Sequence, residues 1–243
     1  MSDIPFPKNY FGNEKIISIA DQKISAYRKR LIEFIKNLPR QAVILDAGCG
    51  NGKVLRFIEL YRPDIVMYAI DISDVSVFLP PRTSFKIGSV EAVPDLYPEI
   101  KFDAIFCLHV IEHLAYPMQM ITGFKNALKP GGLVYLETPN WIRIFLPFTH
   151  MFFWNDYTHV RPFSKFAMRK LFEEYGFSLV MLKAVASHNF FIKNQGLEKI
   201  KKQPLHANVS VQRGVFARLW GAFVRRLIYP IIKDTLVVVA KNQ

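Results

Sequence analysis

Val43-Ile44-Leu45-Asp46-Ala47-Gly48-Cys49-Gly50-Asn51-Gly52-Lys53 is the stretch that decides the fold. Ala42 to Leu45 reads as a buried strand, with Asp46 at its carboxyl end. Gly48, Gly50 and Gly52 then alternate through a tight turn, and a helical pattern starts at Lys53. Glycine reaches positive φ cheaply and lets a ligand approach the backbone closely. Strand, glycine turn and helix start together make a nucleotide-type crevice at the end of a parallel sheet. The spacing is Asp-x-Gly-x-Gly-x-Gly, not the Gly-x-Gly-x-x-Gly of dinucleotide binders. A carboxylate here repels a pyrophosphate and suits a cationic ligand.

Downstream, β and α patterns alternate. Lys53 to Tyr61 is a short amphipathic helix stopped near Pro63, and Asp64 to Asp71 is a second buried strand ending in a carboxylate. Asp71 falls 19 residues after Gly52, the offset at which an acidic residue meets ribose hydroxyls. Ser73 to Arg82 contains Pro80-Pro81 and leaves little room for a second helix, so that side of the crevice should be open. Ser84 to Ile87 offers strand three, Ala104 to Leu108 strand four, and Leu133 to Glu137 strand five after a Lys129-Pro130-Gly131-Gly132 turn. Ser164 caps a helix to Tyr175 that Gly176 ends. Phe177 to Ala186 and Thr235 to Ala240 complete the pattern as an antiparallel pair. The expected fold is α/β, a doubly wound, mostly parallel seven-stranded sheet with an antiparallel edge strand. A helix from Asn13 to about Leu38 precedes it, giving an N-terminal packing helix (1–40) and one domain (41–243).

Composition sets outer bounds. The 243 residues are 51% hydrophobic, ample for one large core. Cys49 and Cys107 both sit at buried strand ends, which argues for a reducing, cytoplasmic setting over a disulfide framework. The start lacks a secretory pattern, and no apolar run reaches membrane-spanning length. The net charge of +12 concerns partners, and its excess is concentrated. Residues 188–233 hold nine Lys or Arg against one Glu. Within residues 216–232, Phe216, Leu219, Trp220, Phe223, Val224, Leu227 and Ile228 make one helical stripe with Arg218 and Arg225 opposite. Such a helix suits an anionic membrane surface, or packs on the domain as a lid within a basic insertion at 188–234. A second unusual stretch, the aromatic loop at 138–163, carries ten large apolar residues between Trp141 and Trp154.

These motifs resemble the class I S-adenosylmethionine (SAM) methyltransferases. The resemblance runs from about Ala42 to Ala240. It rests on the glycine motif, Asp71, the Phe102-Asp103-Ala104-Ile105-Phe106-Cys107 run and the Leu128-Lys129-Pro130-Gly131-Gly132 turn. Val110-Ile111-Glu112-His113 and Asp156-x-Thr158-His159-x-Arg161-Pro162-Phe163 are similar to the ubiquinone-biosynthesis-type, or type 11/23, subgroup. The resemblance implies SAM as donor and S-adenosylhomocysteine (SAH) as product. It places donor contacts at Asp46, Gly48, Cys49, Gly50, Asp71, Ile72, Ser89, Val90 and Leu108. The implied acceptor is a small molecule, a glycan or a lipid-linked compound methylated on oxygen.

A hydroxyl acceptor needs a proton removed as its oxygen attacks, a task suited to histidine. His109 and His113 flank the end of strand four, and His159 sits in the aromatic loop. Structural roles compete: His113 as a helix-start residue, His159 as a loop brace with Asp156 and Arg161. Glu112 orients His113 or joins the helix start. His109, Glu112 and His113 fall at ligand spacing, but no matching cluster stands elsewhere, so no metal is expected. Cys107 reads as packing. A nucleic-acid methyltransferase is the charge-based alternative. Strand four ends without an Asn/Asp-Pro-Pro-aromatic motif and no Pro-Cys pair appears, so nucleic acid is disfavoured. A non-catalytic SAM-binding module is the other alternative.

Overall fold

The computed structural model describes residues 26–146, 152–186 and 233–243. Its sheet contains β1 (Val43–Ala47), β2 (Val66–Asp71), β3 (Thr83–Ile87), β4 (Phe102–Leu108), β5 (Leu128–Pro139), β6 (Phe177–Val185) and β7 (Thr235–Asn242). The order is β3-β2-β1-β4-β5-β7-β6. β1 to β5 pair in parallel, and β7 runs antiparallel between β5 and β6. The chain reverses direction across the sheet at β1, so the β1–β4 junction is the switch point where an open α/β sheet forms its crevice.

Helices cover both faces, which is why the central strands are apolar on alternate sides. One face packs Leu45, Ile105, Cys107 and Leu136 against Val93 of α3 (Val93–Leu96), Met120 and Phe124 of α4 (Pro117–Ala127), and Met168 and Phe172 of α5 (Lys165–Glu174). The other packs Ile44, Phe106 and Tyr135 against Leu31 and Ile35 of α1 (Ala26–Lys36) and Leu55 and Ile58 of α2 (Lys53–Tyr61). Phe34 of α1 meets Phe106 edge-on at 5.5 Å and Tyr135 at 5.0 Å. The Arg62 guanidinium binds Asp64 and donates to the carbonyls of Leu38 and Pro39, both at 2.7 Å. The approach to β1 is thereby tied to the approach to β2.

Local chemistry accounts for most boundaries. Ser164 Oγ accepts from Ala167 N, a cap contributing about 1 kcal/mol, and Gly176 follows the helix at φ 77°. The β2–β3 connection is abbreviated to a 3-10 turn, Ser76–Phe78. β5 begins earlier than the Lys-Pro-Gly-Gly run suggests. Phe102 pairs with Leu128 and Ala104 with Leu133, so that run is an excursion inside the β4–β5 pairing, with Gly131 at φ 76°. β7 likewise runs to Asn242, beyond Ala240, because its ladder with β6 continues to Phe177. The part of the N-terminal helix before Ala26, the basic stretch at 187–232 and residues 147–151 of the aromatic loop lie outside the described residues. Among the described residues, no helix is long and apolar enough to cross a membrane.

Candidate active site

A crevice of about 650 Å³ opens at the carboxyl ends of β1, β2, β4 and β5. Its floor is the glycine turn. The amides of Gly48 and Cys49 donate to Ile70 O at 2.9 and 3.1 Å, and Gly50 N donates to Asp71 Oδ2 at 2.9 Å. Gly48, Gly50 and Gly52 all take positive φ. At Gly48 a Cβ would also collide with the Val110 side chain. The glycine is thus required twice over, by conformation and by space.

Two carboxylates face the crevice here. Asp46 is buried, and its Oδ2 has no hydrogen-bond partner. Burial, with Asp71 adding its charge, pushes the Asp46 carboxyl up to about 8. Asp71 is raised as well, by burial, although Ser73 N and Gly50 N each donate to it and partly offset that cost. Two buried acids close enough to perturb one another call for a cation or hydroxyl donors between or beside them. Ile72, Ser89, Val90 and Leu108 line the same cavity, and Ile72 is half exposed where the β2–β3 connection is short. Ser89 Oγ accepts from Glu91 N, so this serine also caps a turn.

Past β4 the wall becomes polar. His109 takes φ 57°, and its amide donates to Glu137 O at 2.8 Å. A 3-10 turn, Ile111–His113, follows. Glu112 is fully buried, with Oε2 accepting from Thr138 Oγ1 at 3.0 Å. Its Oε1 lies 3.4 Å from His109 Nδ1, an ion-pair distance without hydrogen-bond alignment. Burial pushes Glu112 up, but His109 and His113 outweigh it and hold the carboxyl below its ordinary value. The loop at 152–161 docks on this turn, because Val160 N and Arg161 N both donate to Glu112 O. Arg161 also donates to Ala115 O at 2.8 Å.

That docking brings two of the three sequence-predicted histidines together. The His113 and His159 rings lie 4.8 Å apart, and ligating atoms of Glu112, His113 and His159 lie within 4.8 Å of one another. His159 Nδ1 meets Phe153 O at 2.6 Å. A carbonyl can only accept, so Nδ1 carries the proton and the lone pair of the neutral ring is on Nε2. Burial lowers the pKa of His159, which keeps it neutral near pH 7. His109 touches the cluster through Glu112.

All twelve residues expected from sequence line the cavity. The cavity is also lined by Glu137, which the sequence reading missed, and by Arg143, Phe152 and Asn155 of the aromatic loop at 138–163. Glu137 is buried at the end of β5, pushed up to about 8 by burial, with Tyr135 donating to Oε1 and Oε2 unpartnered. Its strand-end position matches that of Asp46 and Asp71, and that signal was available. The two cysteines are free thiols, and burial raises both, so neither is poised as a nucleophile.

Comparison with known proteins agrees with this geometry. A family profile described as a methyltransferase domain, type 23, matches residues 19–182. The chain belongs to this methyltransferase family. Over 103 residues it is 36% identical to a tRNA U34 carboxymethyltransferase of Campylobacter curvus, covering 39% of this chain and 34% of the relative. Over 109 residues it is 33% identical to a ubiquinone biosynthesis O-methyltransferase of Xanthomonas axonopodis pv. citri, covering 42% and 45%. The alignments thus span between a third and a half of these relatives. A SAM-dependent methyltransferase from Archaeoglobus fulgidus shares the fold, with a TM-score of 0.58 at 19% identity over 89% of this chain and 91% of that one. SAM is the donor of this class, and the crevice fits it. Asp46 offers a buried, unpartnered oxygen to a cationic ligand, and Asp71 an acceptor-only group for hydroxyls.

Proposed function

We propose that the protein transfers a methyl group from SAM to a hydroxyl of a small-molecule, glycan or lipid-linked acceptor. The observation that carries this reading is the convergence of Glu112, His113 and His159 in the same crevice as Asp46 and Asp71. The carboxylate pair and the glycine turn would hold the donor, with Asp71 at the ribose hydroxyls. Ile72, Ser89 and Val90 would flank the adenine, and Cys49 and Leu108 would pack beside the donor. When bound, SAM supplies an electrophilic methyl on a positively charged sulfur and leaves as the neutral thioether SAH. The histidine pair would hold the acceptor in line and take the hydroxyl proton at Nε2 of His159 as the new C–O bond forms. Glu112, kept ionised, steadies the resulting positive charge. His109, on the rim, would meet the acceptor rather than the proton in flight.

A nucleic-acid acceptor is the second reading, supported by the relatives named as tRNA modifiers and by the net charge of +12. Against phosphate entry stand Glu112, held ionised, and Asp156, which line the crevice beside the buried acids Asp46, Asp71 and Glu137; Lys53 and Arg143 on the same wall offset part of that charge. An RNA would have to present a base edge to the crevice and its backbone to the basic surface. Incubation with methyl-labelled SAM and separated lipid, glycan, nucleic-acid and small-metabolite pools tests both. Label in a lipid, glycan or small-metabolite pool, lost roughly 10²–10⁴-fold in His159→Asn with SAH affinity held, supports the first reading. Label confined to nucleic acid replaces it with the second, and no label in any pool overturns both.

A further inference from the structure

We propose that Thr158 and Asp156 form a hydroxyl-relayed carboxylate chain that sets the tautomer and orientation of His113; both act as positioning residues. The inference rests on the function proposed above for its purpose, though not for its geometry. Asp156 Oδ1 accepts from Thr158 Oγ1 at 2.5 Å and from Thr158 N at 3.0 Å. A threonine hydroxyl has one proton, and here it is spent on the carboxylate. At His113 Nδ1, 2.9 Å away, the same oxygen can therefore only accept. The Thr158 carbonyl, 3.3 Å from that nitrogen, can only accept too. Both oxygens thus demand a proton on Nδ1, and the lone pair of neutral His113 goes to Nε2.

The same carboxylate reaches the second histidine, since Asp156 Oδ2 lies 3.8 Å from His159 Nε2. Thr158 is buried, and Val160 N and Arg161 N pin the loop to the Ile111–His113 turn, so the chain is held by packing as well as by hydrogen bonds. Among the described residues, the charged and titratable groups facing His113 include Glu112 on its own turn, His159 and Asp156 on the docked loop, and His109 at the end of β4 through Glu112. Where the proton taken by His159 is shared with the adjacent His113 at Nε2, the imidazolium so formed has an Nδ1–H already pointing at a hydroxyl backed by a carboxylate. This is the logic by which an acid orients a catalytic imidazole, with a hydroxyl inserted between the two. It also explains why the Asp156-x-Thr158-His159 spacing is needed. A two-residue Asx turn puts the threonine hydroxyl on the carboxylate, and the next residue delivers His159 into the crevice.

Nitrogen-15 NMR of the imidazoles reads the tautomer directly, without any acceptor. In the intact protein at pH 8, His113 should appear with its proton on Nδ1, and Thr158→Ser should retain that form. Thr158→Val should move His113 toward the Nε2-protonated form, while SAH titration by calorimetry shows affinity within about twofold of wild type. If Thr158→Val leaves His113 fully Nδ1-protonated, the relay is refuted. Should Thr158→Val fail to fold, Asp156→Ala replaces it: with the acceptor Oδ1 gone, the freed hydroxyl proton can point to Nδ1, and an unchanged tautomer refutes the relay equally. With the acceptor pool labelled as above, Thr158→Val should lower kcat roughly 10²-fold at unchanged KM, shift the acidic limb of the pH profile, and be rescued by Thr158→Ser. A correct tautomer in a protein that labels no pool would sink the proposed function and leave the relay standing.

Discussion

Asp71 gives the sharpest test of the donor side. Its carboxylate has two visible duties: Oδ2 accepts from Gly50 N at 2.9 Å and Oδ1 from Ser73 N at 3.0 Å. A third is expected, because each oxygen keeps acceptor capacity that ribose hydroxyls can use. A hydrogen bond to a charged group is worth about 1.5–3 kcal/mol. Removing the carboxylate should therefore weaken SAH binding by about tenfold to 150-fold per hydroxyl lost, at about 1.4 kcal/mol per factor of ten. Asp71→Ala also strands the buried Gly50 amide, which would cost the fold about 1–3 kcal/mol on its own account. Asp71→Asn is the cleaner variant, since its amide oxygen can still receive one of the two backbone bonds. Calorimetric titration with SAH and with its 2′-deoxy analogue separates the two effects. Wild type should discriminate between the ligands, and Asp71→Ala should not. Equal affinity of wild type for both ligands, or unchanged SAH affinity in Asp71→Ala, would show that Asp71 is a turn-bracing residue only.

Three further outcomes follow from the same geometry. Asp46 and Glu137 both have folded pKa values raised to about 8, far above the unfolded carboxylate range, so the native state binds protons that the unfolded chain has released. That stability is fully present below about pH 4 and is lost as pH rises towards 8. His159, lowered by burial, opposes it only below about its unfolded pKa of 6.5, so the ligand-free melting temperature should fall most clearly from pH 6.5 to 8. Asp46→Asn and Glu137→Gln should each flatten the fall, and an unchanged slope in both would contradict the burial argument. Gly48→Ala must fit a methyl group at φ 77° against Val110, so SAH binding should drop well over tenfold; tight binding in a well-folded Gly48→Ala would remove the close-approach argument. His113→Asn should slow methyl transfer roughly 10²–10⁴-fold with KM for SAM held, and full activity from pH 6 to 9 would exclude a part for it in proton removal.

The donor half of the site was legible because its chemistry is local. Asp46 through Lys53 is one turn, and a single rule about glycines at strand ends places it. Asp71 came from a fixed offset along a βαβ unit whose length barely varies. The doubly wound, mostly parallel sheet was legible for the same reason: alternating β and α patterns leave few parallel arrangements, and right-handed crossovers remove most of those. The excursion at Lys129–Gly132 was read as a turn ending a helix because its residues are turn residues. Only the pairing of Phe102 with Leu128 shows that strand five has already begun before it.

The proposed acceptor half is assembled from segments far apart in the chain, and there the sequence offered types without partners. Glu112 and His113 come from a turn after β4, Thr138 from β5 and His159 from a loop some twenty residues later. Read singly, Glu112 was an orienter of its neighbour or a residue of a helix start. In the fold it is the buried anion beneath both histidines, one oxygen tied to Thr138 and the other turned toward His109. An ion in that position has to be stabilised by its surroundings, and Thr138, His109 and His113 supply what burial removes. The electrostatic division of the crevice follows. At one end Asp46 is pushed toward its protonated form until a cationic ligand meets it; at the other, Glu112 stays ionised and draws positive charge toward the histidines. Under the function proposed above, a methyl group leaving a cationic sulfur and a proton leaving a hydroxyl would both move between these two ends. In the proposed reaction the two ends of the crevice would act from opposite sides, one by holding the charge that is consumed and one by receiving the charge that is made.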